Sequence, residues 1–250
     1  GGITEKNLEH VLPMIQQWLT ATRPPVRMLA VEKAAFQASR PRDVMSLDLM
    51  RIDWLSNRPR AIKTAVRNLT LPAHLIESNG LHLPGLRELR FNGESDTRDE
   101  NGRVRETGYL HLAHFGLLRY NASYAVPGGT FTFSPMQLLS MNVHDAAFSF
   151  TDQGALAYIA LNQHDPDMAG PYFNQALDYS LPGSGNAALR AALKSFAGHP
   201  GTLDIAKTPN APTPLLRCFD ATALDRLWHV RATPGKESLY DQMRRLDPTR

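Results

Sequence analysis

The sequence predicts an α+β fold, with a helical N-terminal part, a central and mainly antiparallel sheet, and a helical C-terminal third. Three observations predict it. Between Val104 and Leu161 run short segments rich in aromatic and branched residues, each bounded by turn residues. Pairs such as Leu110/Leu112, Phe131/Phe133 and Phe148/Phe150 alternate as one face of a pleated strand does. Before that stretch, Leu8, Val11, Leu12, Ile15, Trp18 and Leu19 recur at helical spacing, and after it Leu189, Leu193 and Phe196 do the same, with Gly198 as a stop signal.

Taken in order, the helix over 4–21 kinks at Pro13 or begins just before it, and Arg23-Pro24-Pro25 ends it. A short, Ala-rich helix over 27–38 follows, closed by Pro41. Asn101-Gly102 is a two-residue hairpin signal that folds 86–98 back on 103–112, with the charged run 94–100 at the exposed end. Pro127-Gly128-Gly129 turns the chain into a strand over 130–133, and Ser134-Pro135 opens a short helix to about Met141. A second hairpin across Asp152-Gln153-Gly154 joins 146–151 to a strand over 155–161. Helices over 167–179 and 186–197 come next. The alternating prolines of 208–214 then make an extended linker, and helices from Asp220 to Trp228 and over 235–246 complete the chain. The organisation expected is 1–43 as N-terminal helices, 44–207 as the sheet-containing domain and 208–250 as C-terminal helices packed on it, in one compact unit.

Composition narrows the function classes. With 42% apolar and 20% charged residues over 250 positions, a sizeable core is within reach. No window approaches the run of about 18 apolar residues that a membrane-spanning helix needs. A net charge of +3 does not by itself point to nucleic acid. Arginine far outnumbers lysine among the 27 basic residues, which favours bidentate contacts to carboxylate or phosphate. The single cysteine, Cys218, excludes an internal disulfide framework and suits a reducing compartment. Gly1-Gly2, with the first methionine at Met14, reads as the scar of a piece cut from a longer protein. No phosphate-loop, dinucleotide-binding, nucleophile-elbow or zinc motif occurs, so no cofactor is expected.

Between Val44 and Phe91 a pattern repeats: Val44-x-x-Leu47-x-Leu49, Val66-x-x-Leu69-x-Leu71, then Leu86-x-x-Leu89-x-Phe91. It is similar to the strand of a leucine-rich repeat. Leu71-Pro72-Ala73-His74-Leu75 and Leu83-Pro84-Gly85-Leu86 resemble the Leu-Pro-rich repeats of bacterial type III secreted effectors. That resemblance implies a virulence protein, secreted from a bacterium into the reducing cytoplasm of a host cell, that binds a host protein. Cys218-Phe219-Asp220 resembles the Cys-x-Asp motif of the effector-type ubiquitin ligases that accompany such repeats. The resemblance implies Cys218 as thioester acceptor, Asp220 as acid/base partner, and a ubiquitin-conjugating enzyme as a second partner. The alternative is that Asp220 caps a helix and Cys218 is a small buried hydrophobe.

Three further clusters carry chemistry. His164, Asp165 and Asp167 lie in a loop and offer a divalent-metal site or an acid/base pair. The Asp-x-Asp spacing resembles the metal-binding signature of nucleotide-sugar glycosyltransferases, and the competing reading is a solvated turn. His111 and His114 point to opposite faces of a strand, so they do not chelate one ion. His111 with Arg119 and Tyr120 would line a cleft, and the strand-borne arginine resembles ADP-ribosyltransferase cores. These two clusters define a transferase alternative, glycosyl- or ADP-ribosyl-type. Arg58, Arg60, Lys63 and Arg67 form a basic helical stripe, the mark of a nucleic-acid- or phosphate-binding module.

Overall fold

Alternation of apolar and polar side chains extends far beyond the central third, and the chain follows it into sheet. The computed structural model describes residues 27–37, 44–57, 60–77, 80–100, 102–125, 140–163, 165–181, 183, 186–208, 211–219 and 224–248. Six long strands form a meander: β1 (Met28–Gln37), β2 (Val44–Asn57), β3 (Arg60–Pro72), β4 (Glu88–Glu100), β5 (Arg103–Leu112) and β6 (Gly116–Ala125). A short helix, α1 (Ala73–Glu77), lies between β3 and β4. Strand β7 (Asn142–Asp152) continues the sheet. Helices α2 (Ala155–Leu161), α3 (Ala169–Ser180) and α4 (Ala187–Gly198) then precede β8 (Thr202–Lys207). The two-residue β9 (Thr213–Pro214), β10 (Trp228–Thr233) and α5 (Leu239–Leu246) close the chain. The strand order is β1-β2-β3-β4-β5-β6-β7-β8-β10, with β9 beside β7, and each pair is antiparallel.

This corrects the expected α+β fold with helical ends: one large antiparallel sheet dominates the described residues. Where a helix is expected over 27–38, Met28–Gln37 is strand β1 and residue 38 lies outside the described residues. The strand's alanines favour helix weakly, but pairing along β2 outweighs a propensity worth a few tenths of a kcal/mol per residue. Lys33 has a left-handed backbone, φ 49, yet the register runs through it unbroken, with Glu32 facing Leu49 and Ala34 facing Leu47. Of the basic stripe, Arg60, Lys63 and Arg67 lie in β3, not on a helix, and Arg58 lies outside the described residues. Segment 155–161 is helix α2, not a hairpin strand. A short apolar run fits either element, and the carboxylate of Asp152 decides by accepting from the backbone N–H groups of Gly154 (2.9 Å) and Leu156 (3.1 Å). Of the helix expected from Asp220 to Trp228, residues 220–223 lie outside the described residues, Leu224–Arg226 is a 3₁₀ turn, and Trp228 opens β10. The three leucine-patterned segments contribute to neighbouring antiparallel strands, whereas leucine-rich repeats stack theirs in parallel. The expectations for 4–21 and 126–139 lie outside the described residues.

Other expectations match what folds. The Asn101-Gly102 hairpin joins β4 to β5, with Glu100 facing Arg103 and Gly102 at φ 84. The helices expected at 167–179 and 186–197 are α3 and α4. The cap of α4 comes from a distance: both carboxylate oxygens of Asp225 accept from the Ala188 and Leu189 N–H groups, at 2.9 Å each.

Register assigns each face. Gly93, Leu110, Leu118, Phe150, Leu203 and Ala232 form one cross-strand row, and Ser95, Gly108, Tyr120, Phe148, Ile205 and Val230 the next on the same side. Helices α2 and α4 pack on part of this apolar side. Phe196 of α4 meets Phe150 edge-on at 6.1 Å, and Tyr158 of α2 stacks on Phe115 at 4.8 Å. Ala73, Leu83, Leu89 and Tyr158 form one buried cluster, and Ile52, Trp54 and Ile62 another further along the sheet. Cover is incomplete at Leu110, which is 41% exposed. Among the described residues no helix is long and apolar enough to cross a membrane.

Candidate functional site

The opposite side of the sheet is built by the other half of the alternation. Arg51, Ala65, Glu94, Tyr109, Arg119, Ser149, Asp204 and Arg231 share one row across it. The next rows carry Lys63, Asp96, Thr107 and Asn121, then Arg98, Arg105, Ser123 and Asp145. Over β2 to β6 this side is a charged surface. Its cations stand largely in water: Lys63, Arg67, Arg98 and Arg103 keep between 54% and 62% of their side-chain surface exposed. Two ion pairs join β3 to β4, Lys63–Asp96 at 3.5 Å and Arg67–Glu94 at 3.4 Å, and Arg98 meets Asp96 at 3.3 Å within β4. Arg51 grips Asp53 with two hydrogen bonds of 2.7 and 2.9 Å, and this carboxylate raises the pKa of the guanidinium.

Two concavities adjoin on this surface. One, of about 450 Å³, runs from Arg51 and Lys63 on β2 and β3 to Tyr109 on β5. The other, of about 330 Å³, is lined by Asp96, Arg98, Arg103, Arg105 and Thr107. Asp96 and Thr107 border both, so the two form a continuous trough. At its β5 end Arg103 Nε donates to the buried Ser123 hydroxyl at 3.0 Å, and its Nη2 lies 3.8 Å from Asp145.

Just through the sheet from the trough sits a polar group within the apolar side. Tyr120 and Tyr124 donate their phenol O–H groups to the two oxygens of Glu106, at 3.3 and 3.5 Å. Burial, with the negative charge of Glu106 second, raises both phenol pKa values, most strongly for Tyr124. Gly108 makes the arrangement feasible: a Cβ there would meet the Glu94 carbonyl and stand 2.7 Å from the Tyr120 oxygen. The missing side chain is the space that Tyr120 crosses to reach Glu106.

The residues singled out from sequence do not assemble into one centre. Cys218 lies in a 3₁₀ turn (Leu215–Phe219), 1% exposed, among Val143, Ala146, Leu215 and Trp228. Burial pushes its thiol pKa up, and nearby Lys207 only partly opposes this. Its carbonyl accepts from Trp228 Nε1 at 2.6 Å, which locks the turn. Asp220 and His164 lie outside the described residues. Asp165 and Asp167 are exposed, and among the described residues no three His, Cys, Asp or Glu side chains gather closely enough to hold a metal ion. Asn162, at the start of that loop, is tied to the backbone of His82 instead. His111 and Arg119 do share the charged side, as diagonal neighbours on β5 and β6. His111 Nε2 is 3.1 Å from Gln153 Oε1, and Arg119 is exposed. His114 is in the β5–β6 turn at φ 70, not on a strand.

Neither models of known protein families nor curated proteins match the sequence. The chemistry must therefore be read from the side chains. Lys63 and Arg67 survive the change from helix to strand, because residues four apart share a face in a strand as well, and both line the trough. Arg98, Arg103 and Arg105 were missed as a group by sequence reasoning, although the hairpin contained the signal. With Asn101-Gly102 at the tip, residues equidistant from it must pair, and Arg98 falls opposite Arg105.

Proposed function

We propose that this chain is a protein-binding module that presents the charged trough of β2 to β5 to an acidic segment of its partner. The observation that carries this reading is the solvent-facing set Lys63, Arg67, Arg98, Arg103 and Arg105, gathered on one side of the sheet. Long-range complementarity of this kind speeds encounter and selects partners of opposite charge. In the effector reading the partner is a protein of the host cell. Any part in ubiquitin transfer would then come from positioning a conjugating enzyme, because a thiol as buried as Cys218 is a poor thioester acceptor.

Retention on an immobilised poly-glutamate peptide, eluted with a salt gradient, tests the module. The expected result is salt-sensitive retention that is lost in the double variant Arg98→Glu/Arg105→Glu. Equal elution of both proteins overturns it. Incubation with ubiquitin, its activating enzyme and a panel of conjugating enzymes tests the second role. Chain formation that survives Cys218→Ala supports positioning, and no chains in any lane removes the role.

A further inference from the structure

We infer that the β4–β5 end of the trough is a binding site for a doubly charged tetrahedral oxyanion of the phosphate class. The inference rests on the reading of the charged side as a binding surface and names what its most basic end takes.

Arg98 and Arg105 are direct cross-strand partners, and Arg103 is two residues from Arg105 on the same side. Like charges directly opposite on a sheet destabilise it unless something neutralises them. Asp96 is shared, at 3.5 Å from Lys63 and 3.3 Å from Arg98, while Asp145 reaches only Arg103, at 3.8 Å. Four cationic side chains thus face two carboxylates, leaving two positive charges over, the charge of a phosphate dianion. Arg105 makes none of the hydrogen bonds or ion pairs found among the described residues, although it lines the concavity.

The remaining chemistry fits the same ligand. Each guanidinium presents five N–H donors in a planar fork suited to oxyanions. Two donors of this set are committed, Arg98 Nε to Asp96 and Arg103 Nε to Ser123. The Ser123 bond holds Arg103 against the sheet, so one of the three forks is positioned before a ligand arrives. The concavity of about 330 Å³ lies at the small end of ligand sites, which suits a compact anion.

Calorimetric titration of the full chain with inorganic phosphate, against chloride of equal ionic strength, tests the site. Phosphate should bind and raise the melting temperature through linkage. Arg105→Gln should weaken binding by at least roughly tenfold, through loss of charge-assisted donors. That variant should melt no lower than the parent without phosphate, since it removes a like-charge contact, and this separates a lost site from a lost fold. A phosphoserine peptide and its unphosphorylated form distinguish the sources. A gain on phosphorylation points to a phosphorylated protein segment, and phosphate binding without that gain points to the free anion. No heat and no shift at roughly 10 mM phosphate, a very weak site by the affinity scale, overturns the inference. So does unchanged phosphate binding by Arg105→Gln. If phosphate fails while poly-glutamate retention persists, the oxyanion site falls and the binding module stands; if both fail, the module falls too.

Discussion

The two sides of the sheet are made by alternating residues of the same strands, and they obey different rules. On the apolar side the packing is close: Trp54, Ile62, Val104 and Leu89 are each under 10% exposed. On the open side the side chains are long, charged and wet, and the sheet loses little if one is changed. The first side explains why the chain folds as it does. The second is free to be shaped by a partner, and its clustering of like charges is what folding alone would not favour.

The largest expected effect breaks the covered side. Phe196→Ala should cost about 3–5 kcal/mol in denaturant unfolding, since it empties the contact with Phe150 beneath α4. A loss under about 1 kcal/mol would mean that α4 does not cover a core there. Gly108→Ala comes next, at about 1–3 kcal/mol, because the added methyl group meets the Glu94 carbonyl and the Tyr120 ring.

A pH effect of intermediate size reports the buried phenols. Tyr120 and Tyr124 have raised pKa values when folded, so above the ordinary phenol value of 10.0 the unfolded chain releases protons that the folded chain keeps. Stability should be unaffected below that pH and should fall as pH rises above it. Tyr124→Phe should make the fall shallower, as followed by urea midpoints between pH 8 and 11. An unchanged slope would place the tyrosines in water.

The smallest effect sharpens the other half of the contrast. Breaking the exposed Arg67–Glu94 pair with Arg67→Ala should change stability by less than about 1 kcal/mol, and still less in high salt. The same variant should shorten retention on poly-glutamate. A larger stability loss would show that the open side supports the fold after all.

Much of this contrast was legible in the residues. The hairpin at Asn101-Gly102, the rows Leu110/Leu112 and Phe148/Phe150, and helices α3 and α4 follow from local chemistry. What escaped was local preference overruled at a distance. The alanines of β1 lie in a strand because β2 runs beside them; closer at hand, Ala155–Leu161 is helical because Asp152 caps it as the chain leaves β7. Cys218 looked chemically promising next to Asp220, but nothing nearby in sequence announces that Val143 and Trp228 bury it.

By itself, then, the sequence determined which residues alternate, where the tightest turn falls and that Arg98 must meet Arg105 across it. Those follow from the two-residue period of a strand and from the geometry of a two-residue hairpin. Only the tertiary structure decided that the strands join in one sheet from β1 to β10, and which side the helices occupy. It alone decided that Arg98, Arg103 and Arg105 remain in solvent while Cys218 does not. Burial is a property of what packs against a residue, and those neighbours come from segments tens of residues away.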